Sequence, residues 1–111
     1  MQKLVNLTPH PVILVGNDGR VVDIIPKSEN PLRLPEITAP LGEINGVPII
    51  RKTLDPAASF ALLPPFEQET YYIVSLPVAL VIRRPDFLVP DDLVRDEKDR
   101  VIGCRRFAVV V

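Results

Sequence analysis

Two groups of side chains in this 111-residue chain have the types and spacing to hold a ligand, and one side chain invites a catalytic reading. The first group is Asn6, Thr8 and His10, at i, i+2 and i+4 in the segment Asn6-Leu7-Thr8-Pro9-His10-Pro11. Two prolines force this backbone to be extended or turning. Alternation along it lets all three side chains project the same way. A rigid polar row of this kind suits recognition of a small polar molecule, because little entropy is lost on binding. It suits capping the end of a barrel equally well.

The second group is arginine. In the run Arg100 to Val111, alternation places Arg105 with Phe107, Val109 and Val111, and Arg106 with Ile102, Cys104, Ala108 and Val110. One of the two therefore shares an apolar face. A guanidinium there needs either a carboxylate, for which Asp86 is the internal candidate, or an anionic ligand, because an unpaired buried charge is costly. Arginine forks grip phosphate or carboxylate bidentately. Arg33, Arg84, Arg95 and Arg106 are the guanidinium groups that could converge on such a ligand.

Catalytic and metal chemistry have weaker support. His10 is the only histidine, so a triad would have to use it with Ser28, Ser59 or Ser75 and an acid. No nucleophile elbow accompanies it, and a histidine bonded to its own proline-locked loop is the plainer reading. One histidine and one cysteine, Cys104, fall short of the three or four ligands of a zinc site. Asp91, Asp92, Asp96, Glu97 and Asp99 lack EF-hand spacing and read as a solvated acidic turn. No Walker or Rossmann glycine pattern is present, so the sequence asks for no cofactor and no metal. Tyr71 and Tyr72 have the chemistry to stack on a base, but packing is the better account of both.

The elements that must position these groups are short and β-rich. Thr70 to Ser75, rich in β-branched and aromatic residues, predicts a central strand covered on both faces. Pro77 ends it and opens a short helix over Val78 to Arg84, with a second strand as the competing reading. Lys3 to Leu7, Val12 to Val15 and Arg20 to Ile25 predict strands, the last two joined through Gly16-Asn17-Asp18-Gly19. Leu32 to Leu34 predicts a short strand, and Pro35 to Pro40 carries too many prolines for a central one. Asn45-Gly46 predicts a tight hairpin between Glu43-Ile44 and Val47 to Arg51, with Pro48 on an edge. A helical turn is expected at Ala57 to Leu62, a strand at Asp86 to Val89 and a long one at Arg100 to Val111. Thirteen prolines keep the elements short. The fold class is therefore all-β, or α+β with one or two short helical turns: a small barrel or sandwich of antiparallel strands and hairpins in one domain, residues 1–111.

A formal net charge of -1 gives no pull toward nucleic acid or an anionic membrane. The apolar runs are too short to span a bilayer and no signal-peptide pattern opens the chain. With a single cysteine as well, the expectation is a cytoplasmic protein.

The stretches Asn6-Leu7-Thr8-Pro9-His10-Pro11-Val12, Tyr72-Ile73-Val74-Ser75, Arg84-Pro85-Asp86-Phe87-Leu88-Val89-Pro90, and Val94-Arg95-Asp96 through Gly103-Cys104 resemble a group of small proteins from bacteria, archaea and their phages. The group has no established activity and lends no catalytic residues. Glu29 stands where its pattern has glycine, which leaves that loop without an assigned role. The phage association implies accessory functions such as inhibiting a host system.

The leading expectation is a non-enzymatic, homo-oligomeric protein that binds a small anionic or nucleotide-like ligand. Its site would comprise Asn6, Thr8, His10, Arg33, Arg84, Asp86, Arg95 and Arg106. In a phage setting it would sequester a host signalling nucleotide. The alternatives are a protein-interaction module that inhibits a host macromolecule, and a small hydrolase or lyase using His10.

Overall fold

The computed structural model describes residues 2–111 and divides into two compact units, residues 2–32 with 66–111, and residues 33–65.

The larger unit is built on a six-stranded sheet. In chain order its strands are β1 (Lys3–Asn6), β2 (Val12–Val15), β3 (Val21–Ile25), β6 (Thr70–Ile73), β7 (Phe87–Arg95) and β8 (Val101–Ala108), arranged β1-β6-β7-β8-β2-β3. The β-rich class expected from composition and turn signals is the one found. The two helices are short, α1 (Pro56–Leu62) in the smaller unit and α2 (Leu76–Val81) between β6 and β7.

Antiparallel pairing joins β2 to β3 and β7 to β8, as the intervening turns require. The other three pairings in this sheet, β1 with β6, β6 with β7 and β2 with β8, are parallel. Parallel neighbours need a crossover, and α2 supplies the one between β6 and β7. The strand expected at the centre over Thr70 to Ser75 ends at Ile73 and lies second from the sheet's edge, yet it is covered on both faces: Tyr72 and Ile73 are buried and Tyr71 is half-buried. Ile73 meets Val12 and Cys104 in the middle of the core, with Leu14, Ile25 and Phe107 packed around them.

The two edge strands are tied to each other just beyond their ends. Ser28 N–H donates to the Thr8 carbonyl (2.9 Å) and Leu32 N–H to the Leu7 carbonyl (2.8 Å). The segment after β3 is thereby stitched to the segment after β1, and the sheet curls back toward itself. Leu32 to Leu34, expected as a short strand, makes one such bond and is not a strand. Leu32 spends its N–H on Leu7, and Pro31 and Pro35 flank the segment without donors.

Gly103 is required by a close approach between β8 and its parallel neighbour β2. A Cβ at this position would lie 2.7 Å from Val15 Cγ2 and 2.8 Å from the Ile13 carbonyl oxygen. The side chain could rotate, but the backbone oxygen belongs to a paired strand. Gly103→Ala is accordingly expected to destabilise the protein by about 1–3 kcal/mol, the usual range for overpacking, in a urea titration.

The smaller unit is a two-stranded ribbon, β4 (Glu36–Ile44) and β5 (Val47–Leu54), followed by α1. Asn45 and Gly46 take positive φ (51° and 79°) at its turn, as the Asn-Gly signal predicts. The ribbon is longer than expected and includes Pro40. In a ribbon of two strands each strand is an edge, so proline is tolerated. Asp55 caps α1, accepting from the Ala58 N–H (3.2 Å), and Pro56 occupies its first turn.

Candidate functional site

Asn6 closes β1 and its amide is committed on every side. Nδ2 donates to the carbonyls of His10 (2.9 Å) and Pro26 (3.0 Å). Oδ1 accepts from the Thr8 N–H (2.9 Å) and lies 2.7 Å from Thr8 Oγ1. That hydroxyl, with one proton to give, sits between Oδ1 and the His10 carbonyl at 2.9 Å. Two carbonyls on one side and an amide N–H on the other fix the orientation of the Asn6 side chain. Asn6 is buried and Thr8 half-buried. The structure brings Asn6, Thr8 and His10 together, but as a staple rather than a polar wall. Asn6 and Thr8 turn their hydrogen-bonding capacity on the chain itself, and only the His10 imidazole remains outside the network.

The arginines do not converge. Arg84 and Asp86 form a fork-to-fork pair, Nε to Oδ1 at 2.9 Å and Nη2 to Oδ2 at 2.6 Å. Their side chains are only 14% and 9% exposed. The guanidinium carbon lies 4.0 Å from the centroid of the Phe66 ring and 4.5 Å from that of Phe87. Phe87 in turn meets Tyr72 edge-on, with centroids 6.1 Å apart, and burial pushes the Tyr72 phenol up. This cluster is a structural lock between the ends of β6 and β7.

Asp86 was the candidate partner for whichever of Arg105 and Arg106 shared the apolar face, but Arg106 pairs with Asp91 directly across the β7–β8 ladder (Nε to Oδ2, 2.7 Å). The Arg106 hydrogen bond holds the Asp91 carboxyl below the usual carboxylate range, and Asp91 raises Arg106. Arg105 lies 3.6 Å from Asp92. Both arginines are exposed, so neither shares a covered apolar face as alternation suggested. Arg95 donates to the Asp99 carbonyl (2.9 Å) within the β7–β8 turn. Arg33 belongs to the other compact unit and is exposed. The charge clamp read from the sequence is thus replaced by local pairs with aspartates two to fifteen residues away.

The acidic turn is likewise self-satisfied. Asp96 accepts from the backbone N–H groups of Lys98 (2.9 Å) and Arg100 (3.0 Å) and from Arg100 Nε (2.9 Å). The Arg100 N–H and its companions hold the Asp96 carboxyl below its ordinary value. Among the described residues no cluster of His, Cys, Asp and Glu has the geometry of a metal site. No helix of the structure is long and apolar enough to cross a membrane.

A concavity with a mostly apolar lining lies in the larger unit, over β2, β8 and β7. It encloses about 570 Å³ and is lined by His10, Pro11, Val12, Ile13, Pro90, Leu93, Val101, Ile102, Gly103 and Cys104. The volume falls in the range of small-molecule sites, about 300–1,000 Å³. The floor is fixed by the buried Val12 and Cys104. Leu93, Val101 and Ile102 line it while remaining 45–50% exposed. His10 is the one ionisable side chain at its margin besides the Cys104 thiol, which burial pushes up and makes a poor nucleophile. Among the described residues no serine or acid is hydrogen-bonded to the His10 imidazole, so no triad is assembled.

Of the eight residues proposed as a binding site from the sequence, only His10 lines this cleft. Val101 was not singled out and Ile102 was named only as an apolar neighbour of Arg106, although their signal was present: adjacent apolar residues opening a strand cannot both face one core, because neighbours point to opposite faces. The chain matches no known protein family, no curated protein and no solved structure.

Proposed function

We propose that the protein is a non-enzymatic binding protein for a small ligand with a planar or apolar body and one anionic group, nucleotide-like molecules included. The cleft bordered by His10 carries this reading: an apolar floor for the body, with His10 at its margin as the polar contact. Arginine plays no part in the charge contact, since Arg84 and Arg106 are each matched by an aspartate. In a phage setting the same cleft would sequester a host signalling nucleotide.

Thermal melting in the presence of adenosine monophosphate, 1-naphthoate and inorganic phosphate tests the reading. A ligand present at 100 times its Kd adds about 2.7 kcal/mol and raises Tm by several degrees. The expected result is stabilisation by a body-bearing anion and none by phosphate alone. His10→Ala is expected to weaken binding about tenfold, the value of one hydrogen bond to a charged group. Ile102→Glu is expected to abolish binding while leaving the unliganded Tm within a few degrees, because the side chain is half exposed. Stabilisation by phosphate alone, or full binding by Ile102→Glu, would refute the assignment.

A protein-interaction role is favoured by one observation. The outer strand β3 leaves Val21, Val22 and Ile24 more than half exposed at the end of the sheet. A stoichiometric host protein bound to a chain that no small anion stabilises would select it.

A further inference from the structure

The β4–β5 ribbon presents a surface that its own unit does not cover. Every residue of β4 is exposed, including Ile37 (50%) and Ile44 (62%), and so is Val47 of β5 (63%). Isolated two-stranded hairpins are at best marginally stable in water, so a ribbon of this length calls for a covering layer.

The two faces of the ribbon are unlike. The cross-strand pairs Ile44–Val47, Gly42–Ile49, Ala39–Arg51 and Ile37–Thr53 share one face, which holds five apolar side chains and a single charge. The pairs Glu43–Pro48, Pro40–Ile50, Thr38–Lys52 and Glu36–Leu54 share the other, which carries Glu36, Glu43 and Lys52, with Lys52 3.7 Å from Glu36. The edges are blunted as well. Pro40 in β4 and Pro48 in β5 lack the N–H that an added strand would need, and the backbone is irregular between Pro40 and Gly42. Addition of a strand at the edge is disfavoured, and the apolar face is what remains to be covered.

We infer that this face is covered by the same face of a second copy of the chain, two ribbons stacking about a two-fold axis that runs along the strands, so that the turns of the two copies meet. The pattern is self-complementary, because the large Ile49 is paired across the ribbon with Gly42 and the neighbouring pair contains Ala39. Each copy thus offers a projection beside a depression, as an isologous interface requires. The exposed residues of the face leave on the order of 500 Å² per copy, hence about 1,000 Å² when two meet, the lower bound for a specific interface. With Glu36, Glu43, Arg51 and Lys52 its only charges, the ribbon is net neutral, so two copies meet without repulsion.

Sedimentation equilibrium of the full chain tests this. The expected result at about 100 µM is a mass twice that of the 12.4 kDa chain, falling toward the monomer on dilution. The double variant Ile44→Thr with Val47→Thr keeps β-branched residues in the strands while removing their apolar ends, and is expected to weaken dimerisation at least tenfold. Circular dichroism confirms that the variant keeps its strand content. For a variant that loses it, Ile44→Cys gives the readout instead: the native Cys104 is buried, so oxidation is expected to link two copies through residue 44. A monomer throughout the concentration range, a dimer that the threonine variant leaves intact, or no cross-link under oxidation would overturn the inference. Ligand binding in the cleft is read by melting and stands or falls separately.

Discussion

Replacing Asp86 with alanine is expected to lower the unfolding free energy by about 3–5 kcal/mol, a large part of the stability of a domain this size. The change leaves the Arg84 guanidinium, 14% exposed and flanked by Phe66 and Phe87, without its carboxylate. A charge so placed has lost most of its water and then loses its carboxylate as well. The double replacement Arg84→Met with Asp86→Leu removes both charges at once and is expected to cost much less than either single change. Urea titrations of the three variants give the coupling as a thermodynamic cycle. If Arg84 were instead held for an anionic ligand, Asp86→Ala would free it, and binding of small anions would strengthen rather than the fold weaken.

Asn6→Ala is expected to cost about 2–4 kcal/mol, a large effect for a surface-proximal loop. Two groups lose the partner that Asn6 supplies, the Pro26 carbonyl and the Thr8 N–H, while the His10 carbonyl and the Thr8 hydroxyl fall back on each other. Each unsatisfied group costs about 1–3 kcal/mol when buried, less where water reaches it. Asn6→Asp separates geometry from polarity. It keeps the acceptor facing Thr8 but sets a carboxylate oxygen against two carbonyls, so it is expected to be no better than alanine at neutral pH. Hydrogen exchange at Ser28 and Leu32, whose N–H groups bond across the same seam, is expected to quicken in both variants. Unchanged exchange there would mean that the staple does not hold the sheet's edges together.

The sequence spoke most clearly where chemistry is local. Asn45-Gly46 and Gly16-Asn17-Asp18-Gly19 fixed two turns because few residues accept positive φ, and Val12–Val15 begins and ends where its neighbours' prolines and glycine dictate. Long-range pairing was not legible. Nothing in Lys3–Asn6 distinguishes a strand that will lie parallel to Thr70–Ile73 from one that will turn back on its neighbour. The arginines went the same way. Alternation told that Arg105 and Arg106 point to opposite faces, but which aspartate stands opposite depends on the β7–β8 register, and that register supplies Asp91. Asn6, Thr8 and His10 were correctly grouped by their spacing, yet their direction was not encoded in it. Four of the staple's bonds are local, and the fifth depends on Pro26, twenty residues on, arriving beside Asn6.

The placement of the cleft separates the two ways of binding an anion more sharply than any stability measurement. A methyl-resolved NMR titration of the full chain with adenosine monophosphate and 1-naphthoate reports which residues feel the ligand. The expected perturbations centre on Ile13, Leu93, Val101 and Ile102, with Val78 and Val81 of α2 unmoved. Perturbations gathered instead around Arg84, Arg95 or Arg106, with the cleft methyls silent, would contradict the account.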